Sequence, residues 1–179
     1  MIENPVSGER FTFLKTAADT NGELLQFELS LRPGGRVPVD HIHARQEERF
    51  EVISGRARVR VGKTWRDLAA GESVVIPPGT PHGLRNETAE EVRLTGDFRP
   101  AMNTETQFET ICSLARQGKV DKRGLPSPLR AAVIARELGQ EDYLVGIPIV
   151  LQKVAITLLA LLGRLLGYKA RDPEYSGPE

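Results

Sequence analysis

The sequence predicts a mainly β protein: an antiparallel barrel or sandwich followed by about three α-helices. Between residues 11 and 98, short runs of alternating apolar and polar residues are separated by Gly, Pro and Asn, which is typical of antiparallel all-β domains. From residue 103 onward, apolar residues recur at helical spacing instead. We therefore expect a β-barrel over residues 1–100. A helical extension is expected over residues 101–179, packed on the barrel or lying at a dimer interface.

The composition favours no nucleic-acid partner, because 24 Lys and Arg residues balance 24 Asp and Glu residues. Cys112 is the single cysteine, so no internal disulfide can form, which fits a reducing compartment. The first residues lack the basic and apolar regions of a signal peptide. We expect a cytoplasmic protein whose partner is a small molecule.

The β-region is predicted element by element from its periodicity. Residues 1–9 show no clear pattern and are expected to form an irregular arm, after which a strand starts at Phe11. Apolar residues alternate over 25–31, as in a strand with one buried face. Residues 49–61 are interpreted as a hairpin that turns at Gly55. In this hairpin the arginines at 56, 58 and 60 would face Glu47 and Glu51 across the two strands.

All three histidines lie between residues 35 and 86, and two of them have the spacing of metal ligands on a strand. Residues i and i+2 of a strand share a face, so His41 and His43 can reach one ion. The same parity places Glu48 on the inward face with Phe50, whereas Glu47 points to solvent.

His82 follows a stiff turn over residues 77–81, which contains three prolines and one glycine. Such a turn can fix an imidazole before any metal binds. We therefore expect His41, His43, Glu48 and His82 to meet at a single metal ion, with Asn86 in a structural role near the turn.

These residues resemble the two sequence motifs of the cupin superfamily. The first motif, Gly-x5-His-x-His-x(3,4)-Glu-x6-Gly, is matched by Gly35, His41, His43, Glu48 and Gly55. The second motif, Gly-x5-Pro-x-Gly-x2-His-x3-Asn, is matched by Gly71, Pro77, Gly79, His82 and Asn86. The resemblance covers about residues 10–100. It implies a cupin jelly-roll barrel, that is, an antiparallel double-stranded β-helix.

The resemblance also implies metal-dependent chemistry on a small organic substrate, as in quercetinase-like dioxygenases, with Glu48 acting as a base as well as a ligand. Mixed nitrogen and oxygen ligands suit one divalent Fe, Mn, Ni, Co, Cu or Zn ion and do not select among them. Phe27, Leu29, Phe50 and Val52 are expected to wall the pocket. Two alternatives remain open: a metal-dependent isomerase or lyase acting on a carbonyl substrate, and a non-catalytic ligand-binding or sensor cupin.

Three helices are predicted in the extension. A capping sequence over residues 104–107 precedes the first, the second covers about 128–138, and the third covers 148–167. Lys153 and Arg164 interrupt the third helix, and the uncharged run between them is too short to span a membrane. Its mainly apolar surface is expected to pack on the barrel or across a homodimer, and contact with a membrane surface is the alternative. The polar tail over residues 171–179 is expected to be loose.

Overall fold

The computed structural model, which describes residues 1–171, contains two antiparallel sheets followed by three helices and confirms the predicted jelly roll. The six-stranded sheet has the order β1-β2-β3-β10-β5-β8, and the five-stranded sheet has the order β11-β4-β9-β6-β7. The strands are β1 (Ile2–Asn4), β2 (Glu9–Lys15), β3 (Leu25–Leu31), β4 (His41–His43), β5 (Glu47–Ser54), β6 (Arg56–Val61), β7 (Thr64–Ala69), β8 (Ser73–Ile76), β9 (His82–Arg85), β10 (Val92–Arg99) and β11 (Asp142–Leu144). Of the predicted loose tail, only Arg171 lies among the described residues.

The two sheets enclose one apolar core. Alternate residues of each strand point into this core. In β3, the four residues Leu25, Phe27, Leu29 and Leu31 are all buried, and the polar residues between them are half-buried. The Phe27 ring lies directly over Gly96 of the neighbouring strand β10, where a Cβ atom would come within 2.4 Å of the ring. This close approach explains a glycine in the middle of a central strand.

The predicted hairpin over residues 49–61 is wrong. Strand β5 pairs with β10 and β8, whereas β6 pairs with β7 and β9, so the chain changes sheets at Gly55. Gly55 has φ +82°, a left-handed conformation that lets the chain turn sharply there. Periodicity could not reveal the crossing, because both strands bury alternate residues whichever sheet they join.

The arginines of β6 consequently have partners other than those predicted. Arg60 lies 2.6 Å from Asp40, Arg58 lies 3.5 Å from Glu87, and Arg56 lies 4.0 Å from Asp67. All of these pairs are at least partly exposed, so each contributes little to stability.

Two local predictions also differ from the structure. The expected irregular arm contains strand β1, which pairs with β2. A stretch of three residues is too short to show the alternation that would predict a strand. The expected capping sequence does not cap a helix, because helix α1 (Thr104–Arg116) begins at Thr104 itself. The Thr104 hydroxyl instead accepts a hydrogen bond from the Gln46 side chain, and Asn103 donates to the Leu138 carbonyl.

The helical extension contacts the barrel through α1 and β11. Phe108 of α1 packs against the rings of Phe11, Phe27 and Phe98 in the barrel core. Helices α2 (Pro128–Leu138) and α3 (Ile149–Leu165) pack on each other around a second apolar cluster. Within the described part of the chain, none of the helices has both the length and the apolar character needed to cross a membrane.

Glu9 is a buried carboxyl group in the barrel. Its side chain accepts a hydrogen bond of 2.6 Å from the Ser7 hydroxyl. Burial raises the pKa of Glu9 to about 7, and the Ser7 hydrogen bond only partly opposes this rise. Folding therefore favours the protonated form of Glu9.

We expect the stability of the protein to fall as pH rises from about 4.5 to about 7. In that interval the unfolded chain releases the Glu9 proton while the folded chain retains it. The free energy of unfolding should therefore fall by about 1.4 kcal/mol per pH unit, or about 3 kcal/mol in all. The variant Glu9→Gln should lack this component of the pH dependence. The measurement is denaturant unfolding between pH 4 and 8. The exposed Glu3→Gln serves as the control that should parallel the wild type, and a constant offset between wild type and Glu9→Gln would contradict the prediction.

Candidate metal centre

The structure brings the four predicted ligands together from three strands. His41 and His43 lie on β4, Glu48 on β5 and His82 on β9. His43, Glu48 and His82 are buried, and His41 is partly exposed. His41 and His82 are direct partners across the β4–β9 pair. The burial of Glu48 agrees with the strand parity, whereas Glu47 is half-buried rather than fully exposed.

Each imidazole ring has its Nδ1 atom against an oxygen. His41 Nδ1 is 2.9 Å from the Val39 carbonyl, and His82 Nδ1 is 2.8 Å from the Thr80 carbonyl. His43 Nδ1 is 2.6 Å from Asp142 Oδ1. A carbonyl or carboxylate oxygen can only accept, so each Nδ1 must carry the hydrogen. In a neutral ring the Nε2 atom is then left with a free lone pair.

One ring nitrogen from each of the three histidines lies within 4.8 Å of the other two. His41 Nε2 is 3.0 Å from His43 Nε2, and His82 Nε2 is 2.9 Å from Glu48 Oε2. Ligands about 2.1 Å from a metal and at right angles to each other lie about 3 Å apart, so both distances fit neighbouring ligands of one ion. His43 Nε2 is 3.9 Å from the same Glu48 oxygen.

Two of these atoms are buried polar atoms without a hydrogen bond. Glu48 Oε2 and His82 Nε2 face each other at 2.9 Å, but neither carries a hydrogen when His82 is neutral and Glu48 is ionised. Buried polar atoms without partners are rare because their desolvation is costly. A divalent cation between the four groups would satisfy them, so the donor set fits a metal ion.

The electrostatics of the centre agree with this fit. Burial lowers the pKa of His41 to about 4, with help from the neighbouring His43 and His82, which keeps the ring neutral. Burial opposes ionisation of Glu48, but the contact with His82 and the nearby imidazoles outweigh it and lower the pKa of Glu48. Burial also disfavours the charged form of His82, but the Glu48 contact outweighs it and raises the pKa of this ring, so protons compete with metal there. Neutral imidazoles and an ionised carboxylate are the forms that bind metal.

Asp142 is a component of the centre that sequence reasoning missed. Its Oδ1 atom accepts from His43 Nδ1, and its Oδ2 atom accepts from Gln107 of α1 at 2.8 Å. Burial raises the pKa of Asp142, but the hydrogen bond from His43, the nearby His43 and His41 rings and the hydrogen bond from Gln107 together outweigh it, so the net shift is downward. A carboxylate in this position fixes the ring orientation and raises the basicity of the ligand nitrogen.

Asp142 reaches His43 because β11 extends the small sheet. Strand β11 pairs with β4 so that Asp142 lies opposite His43 and Leu144 opposite His41. The far end of β11 is held by α3, where the Gln152 side chain accepts from the Leu144 amide at 2.8 Å and donates to the Leu144 carbonyl at 3.0 Å. The extension therefore participates directly in the centre.

The other predicted site residues lie in structural positions. Phe27, Leu29, Phe50 and Val52, expected to wall a pocket, are all buried in the barrel core. An aromatic side chain that was not predicted, Phe98, packs edge-on against the His43 ring with centroids 5.0 Å apart.

Asn86 has the structural role that was expected of it. Its buried amide donates to the carbonyls of Leu31, Arg32 and Glu90. These bonds tie the chain after β9 to the end of β3 rather than to the metal centre.

Comparison with known proteins agrees with the fold and the motifs. Residues 27–96 match the family model described as a cupin domain, and this stretch includes both histidine-containing motifs. Members of this class commonly bind a divalent metal, and the match includes His41, His43 and His82. The search of curated proteins finds no significant match.

Solved structures share the barrel at low sequence identity. KdgF from Halomonas sp. has 18% identity and a TM-score of 0.52, over 59% of this chain and 90% of that one. TT1209 from Thermus thermophilus has 26% identity and a TM-score of 0.49, over 55% and 89% of the two chains. An RmlC-like cupin from Shewanella frigidimarina has 25% identity and a TM-score of 0.49, over 59% and 87%. The likeness to KdgF supports the fold alone.

We expect Asp142→Asn to weaken metal binding by about 10- to 100-fold, because an amide accepts less strongly from the His43 ring and lacks the negative charge. The measurement is the dissociation constant for added divalent metal, obtained by competition with a chelator. Glu141→Gln is a matched control. Glu141 is the residue next to Asp142, and its carboxylate pairs with Arg45 and Lys153 at the surface. Equal metal affinity in Asp142→Asn and wild type would refute a role for Asp142 in the centre.

Proposed function

We propose that this chain is a mononuclear metal-dependent enzyme, an oxygenase of the quercetinase-like kind that acts on a small organic substrate. The observation that carries the proposal is the convergence of three Nε2 lone pairs and one carboxylate oxygen on one buried point. The assigned ligands are His41, His43, Glu48 and His82. When bound, a divalent transition metal supplies Lewis-acid polarisation and, if it is redox active, reactivity toward dioxygen.

The surroundings of the centre favour an uncharged substrate. The groups that act most strongly on the charges of His41, Glu48 and His82 are one another and Asp142, and none of these is a lysine or an arginine. A phosphorylated substrate would therefore gain little attraction from the side chains that dominate the centre. Phe98 lies against His43 and is buried in the same aromatic cluster as Phe27 and Phe108, so it supports the His43 ring from the barrel core.

Glu48 is the group that can move a proton in this centre. Its Oε2 atom lies 2.9 Å from His82 Nε2 and 3.9 Å from His43 Nε2, as expected of a metal ligand, so Glu48 would act as a base when it loosens from the metal. As a carboxylate, Glu48 can accept the proton of an acidic substrate hydroxyl, which leaves the substrate oxygen anionic and ready for reaction. Its burial excludes water from competing for that proton.

We expect protein purified without chelators to contain about one equivalent of Fe, Mn, Ni, Co or Cu per chain. His82→Ala should lose most of that metal, because it removes one of four ligands and leaves Glu48 Oε2 unmatched. The measurement is elemental analysis, with circular dichroism to establish that the variant is folded. Absence of metal from the wild type, together with no uptake on reconstitution, would refute the metal-enzyme proposal in favour of a ligand-binding barrel.

We further expect the metal-loaded protein to consume dioxygen in the presence of a flavonol, and Glu48→Gln to reduce the rate by at least about 100-fold because proton transfer is lost. The matched control is Glu47→Gln, on the adjacent residue that faces away from the centre. The assay is an oxygen electrode combined with product analysis. Isomerisation or cleavage of carbonyl substrates without oxygen uptake would instead identify an isomerase or lyase.

A further inference from the structure

The outward side of α3 is an exposed apolar surface. We define the α3 outer face as eight side chains of α3 and its C-terminal end, each 48–85% exposed: Val150, Leu151, Val154, Leu158, Leu161, Leu162, Leu165 and Leu166. The described residues 1–171 leave this face uncovered. Scattered exposed leucines are ordinary, but a contiguous apolar face of this kind marks an interaction site.

The opposite side of α3 already has its partner. Ala160 and Gly163 are buried against α2, and a Cβ atom at Gly163 would come within 2.7 Å of Val133. Gln152 is also buried and holds β11. The large apolar residues of α3 thus lie mostly on the side that faces away from the protein, the reverse of the usual arrangement for a surface helix.

The spacing within the α3 outer face is that of a helix-packing seam. Leu151, Val154, Leu158, Leu161 and Leu165 follow one another at intervals of three, four, three and four residues. This is the spacing of the a and d positions of a heptad, which pack into the corresponding positions of another helix. A lipid surface requires an apolar sector but no such regular seam.

The charges beside the face are neutralised within the chain. Lys153 lies 3.6 Å from Glu141, and Arg164 lies 2.7 Å from Glu137, so both basic side chains of the helix have an acidic partner. Binding to an anionic membrane gains from uncompensated cations. The two ion pairs beside the α3 outer face leave no uncompensated charge from these groups. They are therefore compatible with the same face of a second protein that carries the same ion pairs.

The size of the face matches half of a dimer interface. Transfer scales assign roughly 60–120 Å² to a Leu or Val side chain, so eight side chains at this exposure present roughly 300–600 Å² of apolar surface. One partner in a standard interface buries about 800 Å², of which about 55–65% is apolar. The α3 outer face supplies that apolar share without help from the barrel.

We propose that the α3 outer face binds the same face of a second copy of this chain, forming a two-fold homodimer through the helical extension. The symmetry requires only one self-complementary patch, which the seam provides. The α3 helices would then lie between two α2 helices, so that each apolar cluster of the extension is covered on both sides.

The test is the oligomeric state of the full chain, measured by sedimentation equilibrium. The wild type should be dimeric at micromolar concentration, and Leu158→Glu should weaken the dimer by at least about 100-fold, because each substitution occurs twice in a two-fold interface. Val75→Glu is the matched control, since Val75 is 47% exposed on edge strand β8 of the barrel. Unchanged helix content and metal content in Leu158→Glu would show that the extension is intact.

Two outcomes would overturn the proposal. The first is a monomeric wild type; if that monomer also co-sediments with phosphatidylcholine or phosphatidylglycerol vesicles and loses this binding in Leu158→Glu, α3 is a membrane-surface helix. The second is a dimer that Leu158→Glu does not dissociate, and dissociation by Val75→Glu would then locate the interface on the barrel edge.

Discussion

Three imidazole rings can share one small buried volume only if each keeps its hydrogen on the nitrogen that faces away from the others. The structure meets this constraint with three acceptors from different segments: the Val39 carbonyl, the Thr80 carbonyl and the Asp142 carboxylate. Two acceptors are backbone atoms two residues before their histidines, so local chain geometry suffices for them. The third acceptor comes from β11 of the extension, 99 residues further along the chain.

The extension is connected to the centre by a short series of contacts. Gln152 of α3 fixes the end of β11, β11 pairs with β4, and Asp142 thereby meets His43. Helix α1 contributes Gln107 to Asp142 and Phe108 to the barrel core. The helices therefore do more than cover apolar surface, because they position the carboxylate that orients the His43 ring.

The parts predictable from sequence are those with a local physical signal. Alternation located β3 and oriented Glu48, the i, i+2 spacing paired His41 with His43, and the resemblance to the second cupin motif added His82. The failures have physical causes as well. Strand β1 is too short to show a period, and alternation is the same whether the chain continues in one sheet or crosses to the other at Gly55. Asp142 lies 99 residues from His43 in sequence. It belongs to a strand of three residues, whose sequence shows no pattern that would predict the contact with His43.

The distance in sequence between His43 and Asp142 has a consequence for biosynthesis. During translation, all four proposed ligands leave the ribosome in the first half of the chain, whereas Asp142 and the helix that secures β11 leave much later. A nascent barrel can therefore fold around its imidazoles while the His43 ring has no carboxylate behind it. On this order of events, the proposed metal centre would acquire its final geometry only near the end of synthesis, so an almost finished protein would select the metal.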